Sequence, residues 1–228
     1  PARISASLAL AEQNIKVALV EKQESIGGNF ENIYDPEIRE MIGQLITEAK
    51  DQPLITTYPA TEVMQNAGVA GQFVARLRDN NGAETTVLHG AAVIATGGAK
   101  ADLPVDTQDN QKIISLYDLE AELNQPGVDA KDINTAVFMQ CVGSREEPRN
   151  YCSRICCLKP LKTATKLKEH NPDCNISIFY RDMMTYGESE KFYTQARAKG
   201  IIFIPFEKDE KPQINIEAGR VLVAGYDP

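Results

Sequence analysis

Residues 135–157 read TAVFMQCVGSREEPRNYCSRICC, and this stretch decides the fold. Thr135 to Met139 is a short buried strand that runs directly into Cys141. Four of the five cysteines follow within seventeen positions, at a spacing of C-x10-C-x3-C-C. Downstream, Pro160 stands near a helix start, where a first-turn N–H has no partner in any case. Leu161 to His170 continues that helix and Asn171-Pro172 stops it. Ile176 to Tyr180 is the next strand, Glu188 to Lys199 a helix with Gly200 as its C′ residue, and Ile201 to Pro205 a third strand. Strand and helix alternating in this way form a Rossmann-like unit with a parallel sheet. In a nicotinamide-binding domain the turn after the first strand is glycine-rich, so that a pyrophosphate can sit on a helix N-terminus. Here that turn is Cys141-Val142-Gly143-Ser144-Arg145, with a single glycine. Thiols stand where phosphates would, which argues against NAD binding in this domain.

Three uses of the thiols compete. A tetrahedral zinc site draws on paired C-x2-C units, and the side chains of adjacent Cys156 and Cys157 diverge, which makes them poor co-ligands of one small ion. A cubane offers separate irons, so neighbouring cysteines can each take a corner. A dithiol redox pair wants C-x2-C at a helix start, which is absent. Plain structural packing accounts for one buried thiol more readily than for four at one turn. The adjacency favours the iron–sulfur reading. Cys174 lies in a turn beyond the helix and is set aside as a non-ligand. Arg145, Arg149 and Arg154 flank the cysteines; cations near a thiolate-bound cluster favour its reduced, more negative state, although Arg149 reads as an ordinary surface arginine. Lys159, Lys162, Lys166 and Lys168 read as a solvated helix face, and His89 and His170 as core or surface residues rather than catalytic ones.

Working back toward the N-terminus, Ile4 to Gln13 has helical spacing, with Asn14 as its C-cap. Ile15 to Val20 is a buried strand closed by Glu21. A helix, then a strand ending on a carboxylate, forms the second half of a βαβ dinucleotide unit, where the carboxylate accepts hydrogen bonds from a ribose diol. A solvated strand end is the equal alternative. Ser25-Ile26-Gly27-Gly28-Asn29-Phe30 is a loop whose glycines let backbone approach something closely. Pro36 to Lys50 is an amphipathic helix, with Ile38, Met41, Ile42, Leu45 and Ile46 on its core face. Ile55 to Tyr58 and Thr61 to Gln65 are short strands. Phe73 to Arg78 and Glu84 to Leu88 flank a hairpin turn at Asn81-Gly82. Ala91 to Ala95 reads as another buried strand, closed by Thr96-Gly97-Gly98. Residues 99–132, with Pro104 and Pro126-Gly127, form an acidic connector carrying a short helix near Leu116 to Leu123.

The bulk numbers bound the function. A chain of 228 residues with 43% hydrophobic content can bury one large core or two modest ones. A net charge of −8 argues against a nucleic-acid footprint. No apolar run approaches the roughly 20 residues of a membrane span, and no secretory leader is legible. Five clustered cysteines suit a reducing cytoplasm.

Two resemblances carry the reading further. Glu21-x4-Ile26-Gly27-Gly28, a β-meander, and then VIATGG at 93–98 resemble the thioredoxin-reductase-like flavoproteins with two dinucleotide-binding domains. That likeness implies that Glu21 and Lys22 meet the adenosine ribose of FAD, that Gly27 and Gly28 line the site, that Val63 passes the adenine, and that Ala95, Thr96 and Gly97 close over the phosphate side. Arg3 departs from the pattern, standing where the third glycine of the phosphate loop belongs. Phe138 to Arg145 followed by Tyr151 to Cys157, with Ile178 to Asp182 and Phe192-Tyr193, is similar to the A-type subunits of heterodisulfide reductases and to the quinone-interacting oxidoreductase subunits of sulfate reducers. This likeness covers nearly the whole chain. It implies an FAD-containing subunit in which Cys141, Cys152, Cys156 and Cys157 hold a [4Fe–4S] cluster close to the flavin, within a multi-subunit complex. The cysteine-rich ferredoxin insertion of many such subunits is absent, so further clusters are not expected.

The expected fold is therefore α/β, with two Rossmann-like three-layer units and a small antiparallel meander in the first. Residues 1–105 form a partial FAD domain lacking its first strand and glycine loop, 106–212 a domain carrying the cysteines, and 213–228 the start of a return to the FAD domain. The expected function is electron relay between FAD and the cluster, with two alternatives: a non-catalytic scaffold holding zinc or free cysteines, and an NAD(P)H-dependent flavin reductase.

Overall fold

The computed structural model describes residues 1–98, 100, 102–103, 110 and 112–226; Pro104 and the expected boundary at 105–106 lie outside these. The chain divides into two compact units, residues 1–99 and 100–228.

In the first unit, helix α1 (Ala2–Glu12) leads into strand β1 (Val17–Val20), helix α2 (Pro36–Asp51) and strand β2 (Ile55–Tyr58). β1 and β2 pair in parallel, Val17 opposite Ile55 and Val20 opposite Tyr58. Asp35 starts α2: its side chain accepts the amides of Glu37 and Ile38, and Pro36 supplies the fixed φ of a first helical turn. Ile42, Ile46 and Ala49 recur at helical spacing and meet Ile4, Leu8 and Ala11 of α1, with Leu19 and Ile55 between them, so both helices bury one stripe against the strands. Gly27 serves this packing. With φ +132°, it has no room for a side chain: a Cβ there would come within 2.7 Å of the Phe30 ring and 2.8 Å of Ile46. What the backbone approaches closely at Gly27 is thus the protein's own core.

Strands β3 (Thr61–Val69), β4 (Gln72–Asp79) and β5 (Glu84–His89) form the antiparallel meander. Its second turn lies at Asn81-Gly82 as the sequence indicates, and the Asp79 side chain holds it by accepting the amides of Asn81 and Ala83. Residues 91–95 depart from expectation. They form no strand, and Val93 and Ile94 are 66% and 86% exposed. An extended run needs a neighbour to complete its hydrogen bonds, and among the described residues β1 pairs with β2 alone.

In the second unit, helix α3 (Leu116–Leu123) precedes strand β6 (Thr135–Met139), helix α4 (Leu158–His170), strand β7 (Asn175–Tyr180), helix α5 (Glu190–Ala198) and strand β8 (Ile202–Pro205). The sheet is parallel throughout, in the order β6-β7-β8. A hairpin of β9 (Gln213–Glu217) and β10 (Arg220–Ala224) follows and belongs to this same unit. Phe138, Ile176 and Ile178 on the strands and Leu161, Ala164 and Leu167 on α4 form the core. Leu161 is fully buried, so Leu161→Ala should lose about 3 kcal/mol. That loss would show as a lower urea midpoint with an unchanged denaturant slope. Cys174 sits at the N-terminal entry of β7, about 20 Å of strand away from the other thiols, and is fully buried.

Candidate functional site

Both candidate sites lie at the carboxyl ends of parallel strands, where open α/β sheets bind their ligands. In the second unit Cys141 follows β6 by two residues, and the loop from Cys141 to Cys157 returns to the start of α4. The loop is tightly wound. The Arg145 amide donates to the Tyr151 carbonyl at 3.1 Å, and the Tyr151 amide to the Arg149 carbonyl at 2.8 Å. Cys141, Arg145 and Arg154 all hold left-handed backbone, with φ of 63°, 63° and 58°. Such a conformation costs a non-glycine residue on the order of 1 kcal/mol, and strain of this kind concentrates at binding sites.

This winding brings three thiols together. Cys156 stands between Cys141 and Cys157 and is hydrogen-bonded to both. The thiol of Cys141, and then that of Cys157, holds the Cys156 pKa well below the usual thiol range. The same Cys156 sulfur, followed by burial, pushes Cys141 and Cys157 well above the usual thiol range. Cys156 is also the residue just before the N-cap of α4, whose unpaired amides favour negative charge. Cys152 is half-buried and its sulfur accepts the Arg154 amide at 3.3 Å. Among the described residues no three histidine, cysteine or carboxylate groups converge as they would around a single metal ion. The sulfurs are strung along a loop and a helix start.

A second wall, to which sequence reasoning assigned no role, comes from the segment after β7. The Arg181 amide bonds to the Cys141 sulfur and the Met184 amide to that of Cys157. Cys157 Sγ lies 3.5 Å from the Asp182 carbonyl. Arg145 Nη2 pairs with Asp182 Oδ2 at 2.6 Å, and Arg181 Nη1 donates to the Arg145 carbonyl at 3.2 Å, so the two loops are clamped together. The signal was available: β6 and β7 are adjacent parallel strands, so the loops that leave their carboxyl ends must meet.

The reading of Lys159 as part of a solvated face is corrected. Its Nζ is 2.6 Å from Glu120 Oε2 and lies over the Tyr117 ring. Glu120 is 3% exposed and also accepts from Thr163 Oγ1 at 2.8 Å. A buried carboxylate needs such partners, and they bind α3 to the first turns of α4, just beyond Cys157.

In the first unit the end of β1 gathers Glu21, Lys22, Gly27 and Gly28, and a hydrogen bond from the Thr61 amide to the Glu21 carbonyl brings the start of β3, with Val63, beside them. Glu21 is 4% exposed, so it is no solvated strand end. Its Oε2 is ion-paired with the Arg3 guanidinium, and its Oε1 accepts the Gln23 amide at 2.9 Å. A Cβ on Gly28 would come within 3.5 Å of Arg3 Nη2, so the residue in place of the third glycine lies between the carboxylate and the loop. Lys22 is exposed and pairs with Glu62 at 2.7 Å. Val63 is 53% exposed. Ala95, Thr96 and Gly97 lie in the irregular segment after the meander. Glu21 thus stands at the carboxyl end of β1 with both carboxylate oxygens engaged, one by Arg3 and one by the Gln23 amide.

The fold is α/β with Rossmann-like units, and it is shared by solved flavoprotein disulfide reductases. Bacillithiol disulfide reductase Bdr of Bacillus cereus matches with a TM-score of 0.51 and 11% identity, over 98% of this chain and 72% of that one. The HOCl-induced flavoprotein disulfide reductase RclA of Escherichia coli matches with a TM-score of 0.51 and 12% identity, over 97% and 50%.

The sequence is similar to the A-type subunits of heterodisulfide reductases, as the cysteine motif implies. The A-type subunit of the H(2):CoB-CoM heterodisulfide,ferredoxin reductase of Methanothermobacter marburgensis is 30% identical over 177 residues, 65% of this chain and 27% of that protein. The A-type iron-sulfur subunit of the CoB–CoM heterodisulfide reductase of Methanocaldococcus jannaschii is 36% identical over 105 residues, 40% of this chain and 16% of that protein. A protein of Archaeoglobus profundus that resembles the same heterodisulfide reductase component is 33% identical over 129 residues, 56% and 17%. The chain thus spans about a quarter or less of the length of these relatives. No protein-family model matches it. Among the described residues no helix is long and apolar enough to cross a membrane.

Proposed function

We propose that the chain is the flavin- and cluster-carrying part of an electron-transfer oxidoreductase subunit of the heterodisulfide reductase A type, working in the cytoplasm with other subunits of such a complex. Cys141, Cys152, Cys156 and Cys157 are the ligands of a [4Fe–4S] cluster, and Glu21, Lys22, Gly27, Gly28, Val63, Ala95, Thr96 and Gly97 line an FAD site. When bound, the flavin supplies paired-electron chemistry and the cluster single-electron chemistry. The observation that carries this reading is the meeting of Cys141, Cys156 and Cys157 where a nicotinamide phosphate loop would stand. The thiols of Cys141 and Cys157 lower the Cys156 pKa, which favours its thiolate, the form that ligates iron, and the amides of Arg181 and Met184 face the sulfurs of Cys141 and Cys157. Hydrogen bonds to such sulfurs are one of the levers by which a protein sets a cluster's potential. In the first unit Glu21 offers two carboxylate oxygens to a ribose diol once Arg3 and the Gln23 amide yield them.

The flavin half of the reading is tested by titrating the anaerobically prepared protein with FAD and then with NADH or NADPH. FAD fluorescence should be quenched on binding, and the bound flavin should stay oxidised when nicotinamide is added, because the second unit has only Gly143 in its would-be phosphate loop. Rapid bleaching of the flavin by NADPH would favour a simple flavin reductase instead.

A further inference from the structure

Thr185 is the one described residue with a buried side-chain polar atom that has no partner: its hydroxyl is unpaired and the residue is 3% exposed. A buried hydroxyl without a partner is costly, and one in a folded protein calls for an explanation, such as strain, a functional role, or a water or ion that takes it up. Thr185 directly follows Met184, whose amide bonds to Cys157, in the same short segment whose Asp182 carbonyl lies 3.5 Å from Cys157 Sγ. That segment is fixed to the cysteine loop by the Arg145–Asp182 ion pair at 2.6 Å. Thr185 therefore belongs to the segment that forms the second wall of the thiol site, one residue beyond Met184.

We propose that Thr185 is a positioning and tuning residue for the bound cluster, its hydroxyl donating to a cluster or ligand sulfur and favouring the reduced state. This rests on the cluster reading above and adds to it a residue outside the cysteine motif. The physical basis is charge: reduction adds one negative charge to the sulfur-rich core, and a donor fixed beside it stabilises the more negative form. In the metal-free chain the same hydroxyl has nothing to donate to, so its removal there has no cost.

Thr185→Val replaces the hydroxyl with a methyl group of similar size. In the metal-free protein it should leave the urea midpoint unchanged or raise it. In the reconstituted protein it should retain iron, and the midpoint potential read by electron paramagnetic resonance titration should become more negative. The expected change is about tenfold in the oxidised-to-reduced ratio at fixed potential, ~59 mV for a one-electron couple. Thr185→Ser, which keeps the hydroxyl, should restore the wild-type potential. A clear loss of metal-free stability in Thr185→Val would mean that the hydroxyl serves the fold and would overturn the assignment, as would an unchanged potential with iron intact. Wild-type protein that takes up no iron would overturn the cluster reading itself, and this assignment with it.

Discussion

Cys156→Ser is expected to remove the cluster. Cys156 is the middle sulfur, hydrogen-bonded to both Cys141 and Cys157, and the thiol whose charge the surroundings favour most. A serine hydroxyl is not deprotonated at neutral pH and does not replace a soft thiolate on iron. Iron should fall from about four atoms per chain to less than one, and the broad visible absorption of a cluster should go with it. The fold should remain. Cys156 is half-buried and the change is nearly isosteric, so the metal-free variant should unfold within about 0.5 kcal/mol of wild type. Cys174→Ser is the matched control. That residue is fully buried at the far end of β7, so its substitution should lower stability without lowering the iron content of the folded fraction. Full iron retention in Cys156→Ser would contradict the ligand assignment.

Glu21→Ala should be the most damaging single substitution in the first unit. It leaves the Arg3 guanidinium, 19% exposed, without its carboxylate and also frees the Gln23 amide. Removing one partner of a buried pair costs about 3–5 kcal/mol, because the remaining charge is stranded; the partial exposure of Arg3 places the expected loss near 3 kcal/mol. The double variant Arg3→Ala with Glu21→Ala should be more stable than Glu21→Ala alone, since it removes the stranded charge. Burial lowers the Arg3 pKa, in keeping with a guanidinium that depends on its partner. A loss below about 1 kcal/mol in Glu21→Ala would mean that the pair behaves as a surface ion pair. Glu21 would then be free to serve a ligand without structural consequence.

Much of this architecture was legible because its signals are local. The α2 stripe of Ile42 and Ile46 behind an Asp35-Pro36 start, the Asn81-Gly82 turn and the alternation from Thr135 to Pro205 are all set by residues close in sequence. The run from 91 to 95 misled for the opposite reason: its composition is that of a buried strand, but a strand exists only beside a partner, and composition does not reveal partners. Gly27 and Lys159 show the same limit. The glycine's neighbours Phe30 and Ile46, and the lysine's partner Glu120, are tertiary facts. In the thiol site the spacing of Cys141, Cys152, Cys156 and Cys157 announced the chemistry. Arg181 and Asp182 figured only in the family likeness, and the part the segment to Thr185 plays at the thiols follows from the adjacency of β6 and β7 rather than from its own residues, because amides and one unpaired hydroxyl leave no motif. Arg3 was visible as an oddity in a glycine's place, and only its pairing with Glu21 shows what it does in the folded chain.

The most direct test of the central claim is the metal content of the anaerobically purified full chain, with iron, zinc and acid-labile sulfide measured on the same sample. The account predicts a brown protein with about four irons and about four sulfides per chain and little zinc. A colourless protein with one zinc per chain and no labile sulfide would contradict it.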